Sequence, residues 1–268
     1  MQNSLSAYFR GEKLYGDDFS QEEIASWFED EKEGYADLGA KDAERYGYEY
    51  HALNLAHSFS GLPDRDYPKI LGYGSAYGHE LLPIIDKASA VTIVDPSTAF
   101  VHDSLGGKPV KYVSPNSEGT LPFDDSSFDL ICCFGVLHHI PNVSAVLSEM
   151  GRVMKPDAFL LLREPVVSMG DWTVPRPGLT KRERGIPYPV FRNIALNAGF
   201  QIKRETLCDF ALTPRLFGIL RSDVYNSPAI VVADKWLSKL FAWNLRYHAT
   251  SALHRFRPSS AAMILTKG

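Results

Sequence analysis

The chain has 268 residues, 45% of them hydrophobic, which is enough for one full-sized α/β domain with a substantial appendage. No apolar run approaches the ~20 residues of a membrane-spanning helix, and three cysteines make neither a disulfide framework nor a metal-binding spacing. The net charge of −4 argues against a nucleic-acid partner. The polar start of the chain lacks a signal-peptide core, so we expect a cytoplasmic protein.

The charge is distributed unevenly along the chain. Residues 1–60 carry 13 acidic and 5 basic side chains, a net charge of −8, whereas residues 201–268 carry 10 basic and 4 acidic side chains, a net charge of +6. The basic segment suits an anionic substrate, or it is a solvated face that pairs with the acidic segment. The sequence leaves both interpretations open.

Hydrophobic spacing predicts helices within residues 20–58, and Gly61, Pro63 and Pro68 then interrupt the chain. Short apolar runs alternate with helical patterns after this point. The predicted strands are Lys69–Leu71, Ala90–Val94, Pro109–Val113, Phe128–Phe134, Ala158–Arg163, Ile202–Leu207 and Ala261–Thr266, and the predicted helices are Gly78–Ile85, Val143–Met154 and Tyr188–Ala198. Such alternation predicts βαβ crossovers and a parallel sheet covered on both faces, and the last two strands are expected to form an antiparallel edge.

Residues 208–258 separate the last two predicted strands and are too long for a hairpin turn. The segment is rich in aromatic and basic side chains. A connection of this length is usually functional or forms a small subdomain of its own. We therefore expect a helical insertion that covers a substrate.

The loop Leu71–Gly78 follows the first predicted strand and leads into a predicted helix. Its glycines permit a tight turn and aim backbone amides at a negatively charged group. Asp95 ends the second strand about 20 residues later, where a carboxylate can accept hydrogen bonds from both hydroxyls of a ribose. Together they predict an adenosine-containing cofactor. Tyr77 stands where a nicotinamide fingerprint would have glycine, which disfavours that class of cofactor.

Three further blocks have a characteristic order and spacing: Leu121–Leu130, Gly135–Asn142 and Glu149–Pro156. With the glycine loop, they resemble the class I methyltransferases that depend on S-adenosylmethionine (SAM), in the ubiquinone-biosynthesis-like branch, known as methyltransferase type 11. The resemblance extends from Lys69 to about Leu207.

Three positions depart from the family pattern. Ile70 replaces the usual acid before the first glycine, Ala76 stands where many members have the third glycine, and Asp157 with Ala158 replaces a Gly-Gly pair.

The resemblance implies an α/β fold, a Rossmann-like, doubly wound, seven-stranded sheet with an antiparallel last strand, and SAM at the carboxyl ends of the strands. Together with the helical patterns and the long connection, it leads us to expect an N-terminal helical cap at residues 1–62, the SAM-binding core at 63–207, the helical insertion at 208–258 and the last core strand at 259–268. The loop would hold the methionine end of SAM, Asp95 the ribose and Pro96 the adenine. The implied cofactor-binding residues are Gly72, Tyr73, Gly74, Ser75, Gly78, Asp95, Pro96, Asn116, Ser117 and Phe134. No metal site is expected.

Methyl transfer from a sulfonium is an in-line displacement in which positioning supplies most of the catalysis. A hydroxyl or amine acceptor must also lose a proton, and a nearby base can contribute ~10²–10⁴-fold. His138 follows the fourth strand and Glu164 follows the fifth, as in small-molecule O-methyltransferases of this family, where an acid orients a catalytic histidine. His139 is the alternative base, and either histidine could instead be structural.

The sequence thus predicts a SAM-dependent methyltransferase acting on a small-molecule acceptor. O-methylation of a glycan, sugar or natural-product scaffold is favoured. Two other functions stay open: a protein of this fold that binds SAM without catalysis, and a nicotinamide-dependent oxidoreductase. We expect no nucleic-acid partner and no membrane span.

Overall fold

The computed structural model describes residues 2–37, 46–219 and 223–268. Three helices precede the sheet: α1 (Gln2–Phe9), α2 (Gln21–Glu31) and α3 (His51–His57). Helix α2 begins at a capping box in which Ser20 and Glu23 bond each other's backbone N–H groups, and its apolar face buries Trp27. The part of the predicted helical region at residues 38–45 lies outside the described residues.

The sheet has eight strands in the order β3-β4-β2-β1-β5-β6-β8-β7. Strands β4, β2, β1, β5 and β6 run parallel, and β8 pairs antiparallel with both β6 and β7. This confirms the Rossmann-like sheet with an antiparallel last strand, and a two-residue edge strand, β3, is added to the seven predicted. The strands are β1 (Lys69–Tyr73), β2 (Ala90–Val94), β3 (Ser104–Leu105), β4 (Lys108–Val113), β5 (Phe128–Phe134), β6 (Met154–Pro165), β7 (Phe200–Phe210) and β8 (Pro258–Lys267).

Helices cover both faces of the sheet. Helices α4 (Val143–Val153) and α5 (Tyr188–Asn197) pack on one face, and α5 ends before Gly199, which has the left-handed φ of 86° expected of a cap. The segment His79–Lys87 packs on the other face and is a 3₁₀ helix, so the helix predicted over Gly78–Ile85 is found with its start one residue later and its end two residues later. Pro83 lies inside this segment and cannot donate the backbone hydrogen bond that an α-helix needs.

The segment between β7 and β8 contains α6 (Thr213–Phe217) and α7 (Pro228–Leu240). Helix α7 packs against β7 and α3. Asp234 of α7 fixes this arrangement, because its carboxylate accepts hydrogen bonds from the N–H groups of Asp209 and Phe210 and from the Thr213 hydroxyl. Within the described ranges, none of the helices combines the length and apolar character needed to cross a membrane.

Candidate active site

A cavity of about 470 Å³ lies at the carboxyl ends of the parallel strands. This larger cavity has the size of a small-molecule site, for which ~300–1,000 Å³ is typical. A smaller cavity of about 100 Å³ shares part of its wall. Of the predicted site residues, Gly74, Ser75, Asp95, Pro96, Phe134, His138 and His139 line the larger cavity, and Tyr73, Gly74, Pro96, Asn116, Ser117 and His139 line the smaller one. Gly72, Gly78 and Glu164 line neither.

The glycine loop passes very close to the turn after β5. Gly74 has a φ of 67°, and a Cβ atom placed on it would lie 2.3 Å from a methyl group of Val136. Only glycine fits there, for reasons of both conformation and space. Ala76 adopts a φ of 44° at the position where many family members have glycine, so the loop keeps its left-handed turn with a less suitable residue.

Asp95 ties the end of β2 to this loop. Its Oδ2 atom accepts a hydrogen bond from Ala76 N at 2.9 Å, and its Oδ1 atom accepts one from Ser97 N at 3.0 Å. Burial raises the pKa of the Asp95 carboxyl to about 6, against the effect of these two hydrogen bonds. A carboxylate offers about four lone pairs, and two are used by these backbone groups, so Asp95 has the capacity to accept hydrogen bonds from a ligand in the cavity.

Glu164 holds the turn that carries the histidines. It is fully buried at the end of β6, and its Oε1 atom accepts hydrogen bonds from Val136 N at 2.8 Å and Leu137 N at 2.9 Å. Its Oε2 atom lies 2.9 Å from Nδ1 of His138 and 3.3 Å from the backbone N of the same residue. Burial opposes ionisation of Glu164, but these bonds outweigh it and keep the pKa of the carboxyl below its ordinary value.

His138 is therefore oriented by an ionised carboxylate. Burial and the neighbouring His139 lower the pKa of the His138 imidazole, and Glu164 only partly offsets them. The neutral ring donates its Nδ1 proton to Glu164, because a carboxylate can only accept. Nε2 is then left with a free lone pair in a side chain that lines the larger cavity.

His139 is held by a different part of the chain. Its Nδ1 atom lies 2.9 Å from Oε2 of Glu31, at the end of α2, and 3.1 Å from the Thr180 hydroxyl. Glu31 also accepts hydrogen bonds from Thr180 Oγ1 and from Arg182 N. The two histidine rings are 4.1 Å apart between centroids, but separate carboxylates orient them.

Comparisons with known proteins relate part of the chain to methyltransferases. A family model described as a methyltransferase domain matches residues 71–162. An uncharacterized methyltransferase, YcgJ of Bacillus subtilis (strain 168), is 31% identical over 101 residues, which are 35% of this chain and 39% of the relative. A probable SAM-dependent methyltransferase of Mycolicibacterium smegmatis is 30% identical over 125 residues, 46% of each protein.

Residues 71–162 of this chain are thus similar to methyltransferase domains, and one of the two relatives is described as SAM-dependent. The chain matches less than half the length of both curated relatives. A SAM-dependent methyltransferase from Mesorhizobium loti has the same fold, with a TM-score of 0.53 and 14% identity over 80% of this chain and 97% of that one. The relative from Mycolicibacterium smegmatis and the structure from Mesorhizobium loti are described as SAM-dependent. A buried carboxylate beside a glycine loop, with a second cavity adjoining, suits the ribose and adenine of such a cofactor.

The turn after β5 and the loop after β6 also bring together one group of possible metal ligands. Among the described residues, His138, His139 and Glu183 offer ligand atoms within 4.8 Å of one another. Both Nδ1 atoms are already hydrogen-bonded to carboxylates, at Glu164 and Glu31. The hydrogen-bond network thus accounts for the arrangement of these side chains.

Arg184 is a positioning residue that the sequence analysis missed. Its guanidinium is fully buried below the histidine turn and donates hydrogen bonds to the carbonyl oxygens of His138 at 3.0 Å and Ile140 at 2.8 Å, among others. Burial lowers the pKa of Arg184 to about 10. No sequence signal distinguishes it from Lys181 and Arg182, the basic residues just before it in the same loop, of which Lys181 is exposed and Arg182 is half-buried.

The N-terminal segment forms one wall of the larger cavity. Its tyrosines Tyr35, Tyr46, Tyr48 and Tyr50 line the cavity, whereas residues 208–258 contribute Asp209 to the same wall. Ion pairs hold α2 in place, since Asp30 lies 2.7 Å from both Lys181 and Arg182. Acidic side chains of the N-terminal region therefore pair with the loop after β6.

Proposed function

We propose that this protein is a SAM-dependent methyltransferase that methylates an oxygen atom of a small-molecule acceptor, such as a glycan, a sugar or a natural-product scaffold. The observation that carries the proposal is the Glu164–His138 pair, which leaves Nε2 unprotonated on a side chain that lines the larger cavity. Such a pair suits an acceptor that must lose a proton, and a hydroxyl is the acceptor that depends on this most.

The cofactor side of the proposal uses the glycine loop, Asp95 and the smaller cavity. Gly74 and Ser75 would border the methionine moiety, Asp95 would accept hydrogen bonds from the ribose hydroxyls, and Pro96 would lie beside the adenine. The smaller cavity, with Asn116 and Ser117 in its wall, has the position and the mostly apolar character that an adenine ring requires.

His138 acts as the general base in this mechanism. SAM, when bound, would supply a methyl group on a sulfonium centre. The acceptor oxygen would bond to this methyl group in line as the carbon–sulfur bond breaks and the neutral thioether leaves. As the oxygen loses charge to the new bond, Nε2 of His138 takes its proton, and the imidazolium that forms is stabilised by Glu164 through Nδ1. The lowered pKa of His138 keeps it unprotonated, and hence able to accept a proton, at neutral pH. Arg184 holds the turn so that the ring does not move.

We assign the acceptor side to the N-terminal wall. Residues 1–62 remain our proposed cap and 63–207 the proposed core, with the last strand at 259–268. Residues 208–258 remain the proposed helical insertion beside the acceptor, reaching the cavity through Asp209. His139, held by Glu31, is proposed to orient the acceptor. If a His139 variant loses activity and a His138 variant does not, His139 is the base instead.

Two experiments test the function. Calorimetric titration should show binding of S-adenosylhomocysteine (SAH) and none of a reduced nicotinamide cofactor; the reverse would mean an oxidoreductase. Incubation with SAM carrying a deuterated methyl group and a cell extract, followed by mass spectrometry, should then reveal products that gain that group on oxygen. SAH binding without any labelled product would instead mean a non-catalytic binding protein, and label on nitrogen or carbon would refute O-methylation.

A further inference from the structure

Helix α7 presents apolar side chains to solvent. Val232, Trp236 and Leu240 follow one another at a spacing of four residues, so they lie along one side of the helix. All three are exposed, Trp236 to 66%, and Trp243, just beyond the end of the helix, is 72% exposed. We call these four residues the α7 stripe. The outward side of a surface helix is ordinarily polar, so the stripe indicates a contact with something outside the described fold.

The opposite side of α7 is already fixed to the sheet. Its buried residues are Ile230, Val231, Asp234 and Ser238. The helix packs against β7 and α3, and the Asp234 carboxylate accepts its hydrogen bonds from the backbone at the end of β7. The inward face is therefore occupied, and the α7 stripe cannot be buried by rotating the helix.

The apolar surface continues beyond the helix. Asn244 donates hydrogen bonds to the carbonyl oxygens of Leu253 and Phe256 at 2.8 and 2.9 Å, which places these two exposed side chains close to Trp243. A tryptophan side chain contributes ~150–250 Å² of contact area, so Trp236 and Trp243 at these exposures present roughly 200–350 Å² by themselves. Patches larger than a few hundred Å² on a monomer mark an interaction site.

The charges on this part of the chain are of one sign at the surface. Residues 228–256 contain one acidic residue, Asp234, which is buried, and four lysines and arginines that are all exposed: Lys235, Lys239, Arg246 and Arg255. Nζ of Lys239 lies 5.6 Å from the centroid of the Trp236 ring. Lysine is depleted in protein–protein interfaces. Tryptophan and leucine beside lysine and arginine are instead typical of helices that lie in the surface of a membrane.

We propose that the α7 stripe docks on the surface of a lipid bilayer that contains anionic lipids. Trp236 and Trp243 would enter the boundary between headgroups and acyl chains, ~5–10 Å deep. The lysines and arginines would face the lipid phosphates, each strengthening binding by roughly fivefold. Helix α7 has 13 residues, whereas a membrane span needs ~20, so the helix would lie along the surface. Docking needs neither SAM nor an acceptor and is independent of the proposed function.

Intrinsic fluorescence tests the docking directly. Of the four tryptophans, Trp27 and Trp172 are buried, so a change of emission on adding vesicles reports Trp236 and Trp243. Vesicles of phosphatidylcholine and phosphatidylglycerol in equal amounts should shift the emission to the blue and carry the protein into the pellet on sedimentation. Binding should be weaker to phosphatidylcholine alone and should fall as salt is raised, because salt screens the basic side chains. Unchanged emission, with the protein left in the supernatant, would overturn the proposal.

Two pairs of substitutions separate the apolar from the electrostatic contribution. We expect Trp236→Ser with Trp243→Ser to weaken binding to the anionic vesicles at least ~10-fold. Lys235→Gln with Lys239→Gln should weaken it by roughly 10–30-fold. Unchanged binding in the tryptophan pair would overturn the proposal, and unchanged binding in the lysine pair would overturn the requirement for anionic lipid.

The matched controls lie near the opposite edge of the sheet, around β3 and β4. They are Leu82→Ser with Val101→Ser, which removes other exposed apolar side chains, and Lys108→Gln with Lys111→Gln, which removes two other charges. Both should bind the anionic vesicles within about twofold of the wild type, because charges beyond a Debye length are screened. A wild-type protein that ignores vesicles but forms a dimer in analytical ultracentrifugation, lost in the tryptophan pair, would assign the α7 stripe to a second copy of the chain and refute membrane docking.

Discussion

Replacing Glu164 with glutamine should reverse the tautomer of His138. The carboxylate only accepts hydrogen bonds, whereas an amide presents an NH₂ group at one end. If the amide oxygen keeps the Val136 and Leu137 N–H groups, its NH₂ group faces the imidazole Nδ1 atom and the His138 backbone N–H. The ring can adapt by moving its proton to Nε2, but that removes the lone pair that would accept the substrate proton.

The losses of stability and of activity in Glu164→Gln follow from the same four hydrogen bonds of Glu164. The backbone N–H of His138 cannot adapt and is left unsatisfied, and the remaining bonds lose their charge assistance. We expect a loss of about 3 kcal/mol in the free energy of unfolding, or roughly 6–12 °C in Tm for a chain of this size. The methyl-transfer rate should fall at least ~10²-fold; the equivalent exchange in a Ser-His-Asp triad costs about 10⁴-fold.

The tautomer can be measured without knowing the acceptor. Imidazole ¹⁵N shifts distinguish Nδ1–H from Nε2–H, and the spectrum of a His138→Asn variant identifies the signal among the eight histidines. Glu149→Gln is the control, because Glu149 also accepts a backbone N–H and pairs with an arginine, but lies away from the cavities. An Nδ1–H tautomer that persists in Glu164→Gln would refute the proposed orientation of the base.

Three further changes have defined outcomes. Asp95→Ala should weaken SAH binding by about 1.5–3 kcal/mol. In the wild type, affinity should fall as pH drops through the Asp95 pKa of about 6, and calorimetry from pH 5 to 8 should find no such dependence in Asp95→Asn. His138→Ala should lower the methyl-transfer rate ~10²-fold or more at unchanged SAH affinity. The wild-type rate should decline only at a pH below the usual histidine range, since the pKa of His138 is lowered. A fully active His138→Ala variant would mean that His138 is structural. Arg184→Met should cost about 3–5 kcal/mol in chemical denaturation, because several buried carbonyl groups lose their donor, against less than ~1 kcal/mol for the exposed pair broken in Arg192→Met.

The parts of the site that the sequence anticipated all lie at strand ends. Parallel neighbours end at one edge of a sheet, so the order of the strands brings Asp95 to the glycine loop and Glu164 to His138. Both contacts are found in the structure. The 3₁₀ segment was also within reach of the sequence, because Pro83 is incompatible with a regular α-helix.

The remaining parts depend on packing between distant segments. Glu31 is hydrogen-bonded to His139, which lies more than a hundred residues later in the chain. No sequence pattern predicts that an acidic residue of an amphipathic helix will contact a turn that follows a core strand. Composition also does not predict whether the N-terminal region or residues 208–258 will form the wall of the larger cavity. The sequence favoured the aromatic segment 208–258, of which Asp209 lines the cavity, whereas four tyrosines between residues 35 and 50 also line it and were not singled out.

His138 and His139 are adjacent in the chain, but carboxylates from different segments hold them. The cofactor side and the acceptor side of the proposed site can therefore change independently. The family match at residues 71–162 contains both histidines but neither of their carboxylates. Glu164 belongs to the sheet, whereas Glu31 arrives with α2. In a chimera that carries residues 1–62 of a relative, the His138 ring should keep its position, whereas the His139 ring should change its orientation because Glu31 is replaced. Selection could thus change the acceptor by remodelling one end of the chain, while the cofactor chemistry is inherited intact with the sheet.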